Sequence, residues 1–220
     1  MIIPGANSTD LLTPRYDNVF LLAGTTTIEA QRAVAWARPL GVHRLAVVGD
    51  GTSFSGAIVT ATAAAVKQPG SGVALAAEMT LTQGATAYPQ VVETVLREQA
   101  DMVFYTGYQA EGVYGLSLPL PQFEPKATAW AARYKTITGK APGPFTMQAY
   151  DAVKLALDAI RRAGSTNRGT VRRAIATTAP AAVELLSGPS QFNPDGTQVD
   201  STFIQLRIHD GAFVLAAKGG

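Results

Sequence analysis

The 220-residue sequence has no cysteine, two histidines, two tryptophans and only 15% charged residues. Without cysteine there is no disulfide, no thiolate metal site and no cysteine nucleophile. The two histidines, His43 and His209, have no clustered carboxylates beside them, so a metal site or a serine triad lacks parts. No apolar run reaches the roughly 18 residues that a membrane-spanning helix needs. The opening "MIIPGANSTD" has no basic stretch leading into an apolar one, so no signal peptide is expected. Eighteen basic residues against sixteen acidic ones leave a net charge of +2. They include short pairs such as Arg161-Arg162 and Arg172-Arg173, the spacing of solvated helix faces, and nucleic acid is not expected as a partner.

What is present is an apolar fraction of 47%, ample for one large α/β domain or two small lobes. Strand-like runs stand at 43–49, 72–81, 101–107, 202–208 and 212–217. Helical patterns occupy 27–41, 54–68 and 85–99, with apolar residues three and four apart. From Thr26 to Tyr108 the order is helix, strand, helix, strand, helix, strand. Such alternation implies right-handed crossovers and a parallel sheet covered on both faces. Beyond it, "LSLPLPQFEP" (116–125) reads as a stiff, extended crossing. Three helical patterns then follow without a strand between them, at 124–138, 145–163 and 167–178.

The stretch "GDGTSFSG" (49–56) poses a chemical question. It is neither a Walker loop nor a dinucleotide fingerprint, and "GTSFSG" misses the spacing of a nucleophile elbow. Glycines at the end of a strand also serve simply to turn the chain. Nothing nominates a pair of catalytic carboxylates, and no enzyme activity and no cofactor are expected. What remains is aromatic: Phe54 on this loop, Tyr108 closing "FYTGY", and Phe145 after "KAPGP". Phe54 and Tyr108 both fall beyond the carboxyl ends of strands, where open parallel sheets bind ligands.

Five stretches carry a resemblance: "IIPGANSTDLLT" (2–13), "HRLAVVGDGTSFSGAI" (43–58), "GATAYPQVVETVLREQADMVFYTGYQAEG" (84–112), "FEPKATAWAARYKTITGKAPGPFTMQAYDAVKLALDAI" (123–160) and "SGPSQFNPDGTQVDSTFIQLRIHDGAF" (187–213). Together and in this order they resemble the leucine/isoleucine/valine-binding family of ABC-transporter solute-binding proteins, which has the type I periplasmic-binding fold. The resemblance implies two α/β lobes that trap a free amino acid between them and present it to an ABC permease outside the cytoplasmic membrane. Gly5 and Asn7 match the loop that grips the ligand α-carboxylate. Thr26 falls where the family often has an acid that helps hold the ammonium. Phe54 and Tyr108 match aromatics of the second lobe, and Phe145 an aromatic of the side-chain pocket.

On the same resemblance, residues 25–118 and 203–220 form a reduced, flavodoxin-like second lobe. Residues 1–24 and 119–202 are a mostly helical remnant of the first lobe, without its central sheet. The family's leading βα units have no counterpart, and a second block is missing at Glu111-Gly112, where "AEG" runs straight into "VYGLSLPLP". The helices of 124–178 are then expected to lack a sheet to cover. They could repack on the other lobe, stay loosely ordered, or be exchanged between two chains through 116–125 to give a homodimer. A reduced α/β fragment that self-assembles without a ligand is the alternative function. An enzyme on a flavodoxin-like sheet is a third, and it needs a nucleophile or base near the strand ends.

Overall fold

The computed structural model describes residues 1–12, 16–81, 88–107, 114–209 and 212–216. The chain divides into two compact units: Met1–Thr25 with Ser117–Ile204, and Thr26–Leu116 with Gln205–Gly220. They are termed unit 1 and unit 2.

Unit 2 is built on the alternation read from the sequence. Its elements run α1 (Thr26–Ala37), β3 (Arg44–Gly49), α2 (Ser53–Val66), β4 (Ala74–Thr80), α3 (Pro89–Arg97) and β5 (Met102–Tyr105). The three strands form a parallel sheet in the order β4-β3-β5. The central strand is an unbroken apolar run, and Leu45, Ala46, Val47 and Val48 are buried, as expected of a strand covered on both faces. Val34 and Ala37 of α1, Val66 of α2, and Val42, Leu45, Val47 and Val73 make one core cluster. The start of β3 is held by Asp101, whose carboxylate accepts the backbone N–H groups of His43 and Arg44 at 2.9 Å each. A second sheet, in the order β6-β7-β8, joins Tyr114–Ser117, Ile204–His209 and Ala212–Leu215, the last two as an antiparallel hairpin.

Unit 1 corrects one expectation. Two short strands, β1 (Ile2–Ile3) and β2 (Phe20–Leu21), pair in parallel, and Leu21 bridges on to Thr197. The long helix α5 (Thr146–Ala163) and α6 (Arg168–Ala176) share one core with this small sheet. Phe20, Leu22, Leu155, Ala159, Ile175, Val183, Leu185 and Phe192 are buried together, and the Phe20 and Phe192 rings meet edge to face at 5.2 Å. The helices of 145–178 therefore do cover strands within their own unit, while that of 128–138 has no buried residue. The crossing at 116–125 is less extended than its prolines suggest. It ends β6 and then winds into two 3-10 turns, Pro121–Phe123 and Pro125–Ala127, before α4 (Thr128–Thr138).

Candidate functional site

In unit 2 the strand-to-helix turn after β3 is fixed by its own polar groups. The Asp50 carboxylate accepts from the Thr52 backbone N–H at 3.0 Å and the Thr52 hydroxyl at 2.7 Å. Thr52 caps α2 by accepting from the Ser55 N–H. The Ser55 hydroxyl, wholly buried, accepts from the Asp50 N–H at 2.9 Å and lies 2.7 Å from the Thr106 hydroxyl at the end of β5. A Cβ on Gly49 would stand 2.8 Å from Ser55 Oγ, so only glycine fits there without displacing it.

This arrangement decides the question posed by "GDGTSFSG". The N-terminus of α2 is already capped by Thr52 and faced by a carboxylate, which disfavours a phosphate. Ser55 is buried and committed to structural partners, and His43 is at the far end of the strand, so no nucleophile is assembled. Among the described residues no group of three or more histidines or carboxylates could hold a metal. The turn instead carries Phe54, second residue of α2 and 37% exposed. Thr26, first residue of α1, is buried. Tyr108 lies outside the described residues.

In unit 1 two residues singled out from the sequence come together. Gly5, on the loop after β1, packs against the ring of Phe145: a Cβ there would lie 3.1 Å from two ring carbons. Phe145 is the N-cap of α5 and has φ +61°, a left-handed conformation that costs a non-glycine residue on the order of 1 kcal/mol or more. Its side chain is 49% exposed nonetheless. Asn7, on the same loop as Gly5, is half-buried.

The sequence did not single out Asp50, Ser55, Thr106 or Gln148. Asp-Gly-Thr directly after an apolar strand signals a side-chain turn and marks Asp50. Ser55 and Thr106 are 51 residues apart and carry no such signal. Gln148, in the first turn of α5, is buried and donates Nε2–H to the Pro119 carbonyl at 3.0 Å, tying Phe145's helix to the crossing segment.

The described helices contain none long and apolar enough to cross a membrane. No curated protein matches the sequence. Solved structures do. An ABC transporter substrate-binding protein of Desulfitobacterium hafniense, in complex with Leu, superposes with a TM-score of 0.83 at 16% identity, over 98% of this chain and 72% of that one. A branched-chain amino acid transporter substrate-binding protein of Streptococcus pneumoniae, in complex with isoleucine, gives 0.74 at 17% identity, over 96% and 70%. A type 1 periplasmic binding protein of Bordetella pertussis gives 0.75 at 18% identity, over 98% and 73%. At these identities the likeness establishes the type I fold. The family model for periplasmic binding proteins matches residues 1–113 and again 105–212. With nearly the whole length matched in this way, the chain belongs to the periplasmic binding protein family of solute-binding proteins.

Proposed function

We propose that the solute is a free amino acid with an aliphatic side chain, of the leucine, isoleucine and valine class, handed on to an ABC permease outside the cytoplasmic membrane. The observation that carries the reading is Phe145. A large apolar ring is held half exposed in a strained conformation against a glycine, with no core to explain its placement. Strain of this kind persists where surrounding structure enforces it for a purpose. Two structural neighbours were solved with leucine and isoleucine, the class that such a ring suits. In this reading the Gly5 and Asn7 loop meets the α-carboxylate and Phe145 the aliphatic chain, while Phe54 and Tyr108 stand, by the resemblance, as aromatics of the second lobe.

The ammonium end is the weak one. Thr26 offers a hydroxyl where a carboxylate is expected by resemblance. An unpaired, desolvated ammonium costs roughly 3–5 kcal/mol, which is on the order of a hundred- to several-thousand-fold in affinity. Titration calorimetry with leucine, isoleucine and valine tests the proposal. Saturable one-to-one binding that is lost in Phe145→Ala supports it. A folded chain that takes up none of the three at millimolar concentration overturns it.

A further inference from the structure

Charge is unevenly placed along the chain. Residues 124–178 hold ten lysines and arginines against three acidic residues, and the remainder holds eight against thirteen. The segment therefore carries +7 and the rest −5. It builds α4, α5 and α6, all within unit 1.

The same helices turn large apolar side chains outward. One side of α5 buries Met147, Asp151, Leu155 and Ala159. The opposite side leaves Tyr150, Val153, Leu157 and Ile160 exposed at successive spacings of three, four and three, with Leu157 62% exposed. On α4, which has no buried residue, Trp130, Tyr134 and Ile137 follow spacings of four and three, and Ile137 is 72% exposed. The Trp130 ring lies 5.6 Å from that of Tyr134 and 5.5 Å from that of Tyr150, joining the two stripes into one face. Arg133, on the Trp130 side of α4, and Lys140, just past its end, are exposed and take part in no ion pair among the described residues.

A contiguous apolar face of this kind marks an interaction site, and the charge around it selects the partner. A second copy would bring two cation-bordered faces together and is disfavoured by repulsion. Aromatic rings beside aliphatic side chains, bordered by unpaired cations, are the composition of helices that lie in a lipid interface. Anionic headgroups supply the complementary charge. We propose that the α4–α5 face of unit 1 docks on an anionic lipid surface. Trp130, Tyr134 and Tyr150 sit at headgroup level there, Val153 and Leu157 reach the acyl boundary, and Arg133 and Lys140 contact the headgroups. This surface acts independently of solute capture.

The test uses the full chain carrying Trp36→Phe, which leaves Trp130 as its only tryptophan. It is mixed with phosphatidylcholine vesicles prepared with and without phosphatidylglycerol. Co-sedimentation with the anionic vesicles alone is expected, weakening as salt is raised, with quenching of Trp130 by brominated acyl chains. Each Lys or Arg near such a surface is worth about fivefold in partitioning, so Arg133→Gln/Lys140→Gln should lower it roughly 25-fold. Both substitutions lie on exposed positions, and an unchanged thermal melt verifies that the fold is intact. Binding to neutral and anionic vesicles alike would overturn the proposal, as would full binding by the double variant. So would a lipid-free dimer, or a complex with an acidic peptide, as the state that shields Trp130 while vesicles leave it untouched.

Discussion

Gly5 and Phe145 are in contact so close that a Cβ on Gly5 would lie 3.1 Å from both Cγ and Cδ1 of the ring. The two residues are 140 positions apart, yet each constrains the other: the loop after β1 approaches the helix cap only because it has no side chain there. The ring is half exposed, and a Cβ at 3.1 Å asks it to give way by only a few tenths of an ångström. Gly5→Ala should therefore cost little stability, within about 1 kcal/mol, while displacing Phe145 from its position. The expected result is a nearly unchanged melting temperature with at least a tenfold loss of amino-acid affinity by calorimetry. Equal affinity in the variant would remove Phe145 from the binding set.

Ser55 and Thr106 lock the Phe54-bearing turn to the end of β5 through hydroxyls 2.7 Å apart. Removing the Ser55 hydroxyl leaves the buried Asp50 N–H without its acceptor, a cost of about 1–3 kcal/mol. Thr106→Val forfeits the same contact together with the bonds of Thr106 Oγ1 to the Val48 and Ser55 carbonyls. A double-mutant cycle on denaturant unfolding should give a coupling between the two sites of about 1 kcal/mol or more. Strict additivity would mean that the hydroxyls do not act as a unit.

Much of unit 2 could be read from sequence because its elements are long and bounded. "HRLAVVG" is an uninterrupted apolar run between turn residues, and the helix after it keeps one apolar spacing for four turns. Unit 1 was harder. β1 and β2 have two residues each, too few for a period to show. A signal existed in "VFLLA", five consecutive residues that are all buried, but it carried no alternation to separate strand from helix. The residue types of the candidate site were legible, since Phe54 and Phe145 sit beside turn-forming glycines and prolines. Their geometry was not. No local rule puts a phenylalanine at φ +61°, and the contacts that hold it there come from the other end of the chain.

Two carboxylates on α5 titrate in opposite directions. Burial pushes Asp151 above the usual carboxylate range, against the opposing bonds from the Leu186 and Ser187 backbone and the Ser187 hydroxyl. Its contribution to stability is present below the unfolded value and fades as pH rises through the raised native one. Asp158 is held below that range, first by its hydrogen bond from Arg161 and then by that from Arg162. Its contribution is present above the unfolded value and is lost as pH falls through the lowered native one. The gap in melting temperature between the native chain and Asp158→Asn should accordingly close on acidification, and the gap to Asp151→Asn should be wider near pH 4 than near pH 8. A gap to Asp151→Asn that is the same at both pH values would refute the first assignment, and a gap to Asp158→Asn that does not shrink as pH falls from about 5 to about 2 would refute the second.

Gly196 occupies the one turn on which β2 depends. Its backbone has φ +86°, its carbonyl accepts the Leu21 N–H at 2.8 Å, and a Cβ would fall 2.0 Å from the Val19 carbonyl oxygen. Neighbouring bonds fix the turn further, because the Asp195 carboxylate accepts from both the N–H and the hydroxyl of Thr197. The obstruction is backbone, so no rotamer change relieves it. Gly196→Ala combines left-handed strain with a displaced β2, whose Phe20 and the following Leu22 anchor the unit 1 core. A loss of at least about 2 kcal/mol is expected, or roughly 4–8 °C in melting temperature for a chain of this size. The same substitution at Gly139, which also has positive φ but meets nothing within 4 Å, carries the strain alone and should cost clearly less. Calorimetric melts of the two variants side by side separate clash from strain. Equal losses would show that the Val19 contact yields and that β2 is not held by this turn.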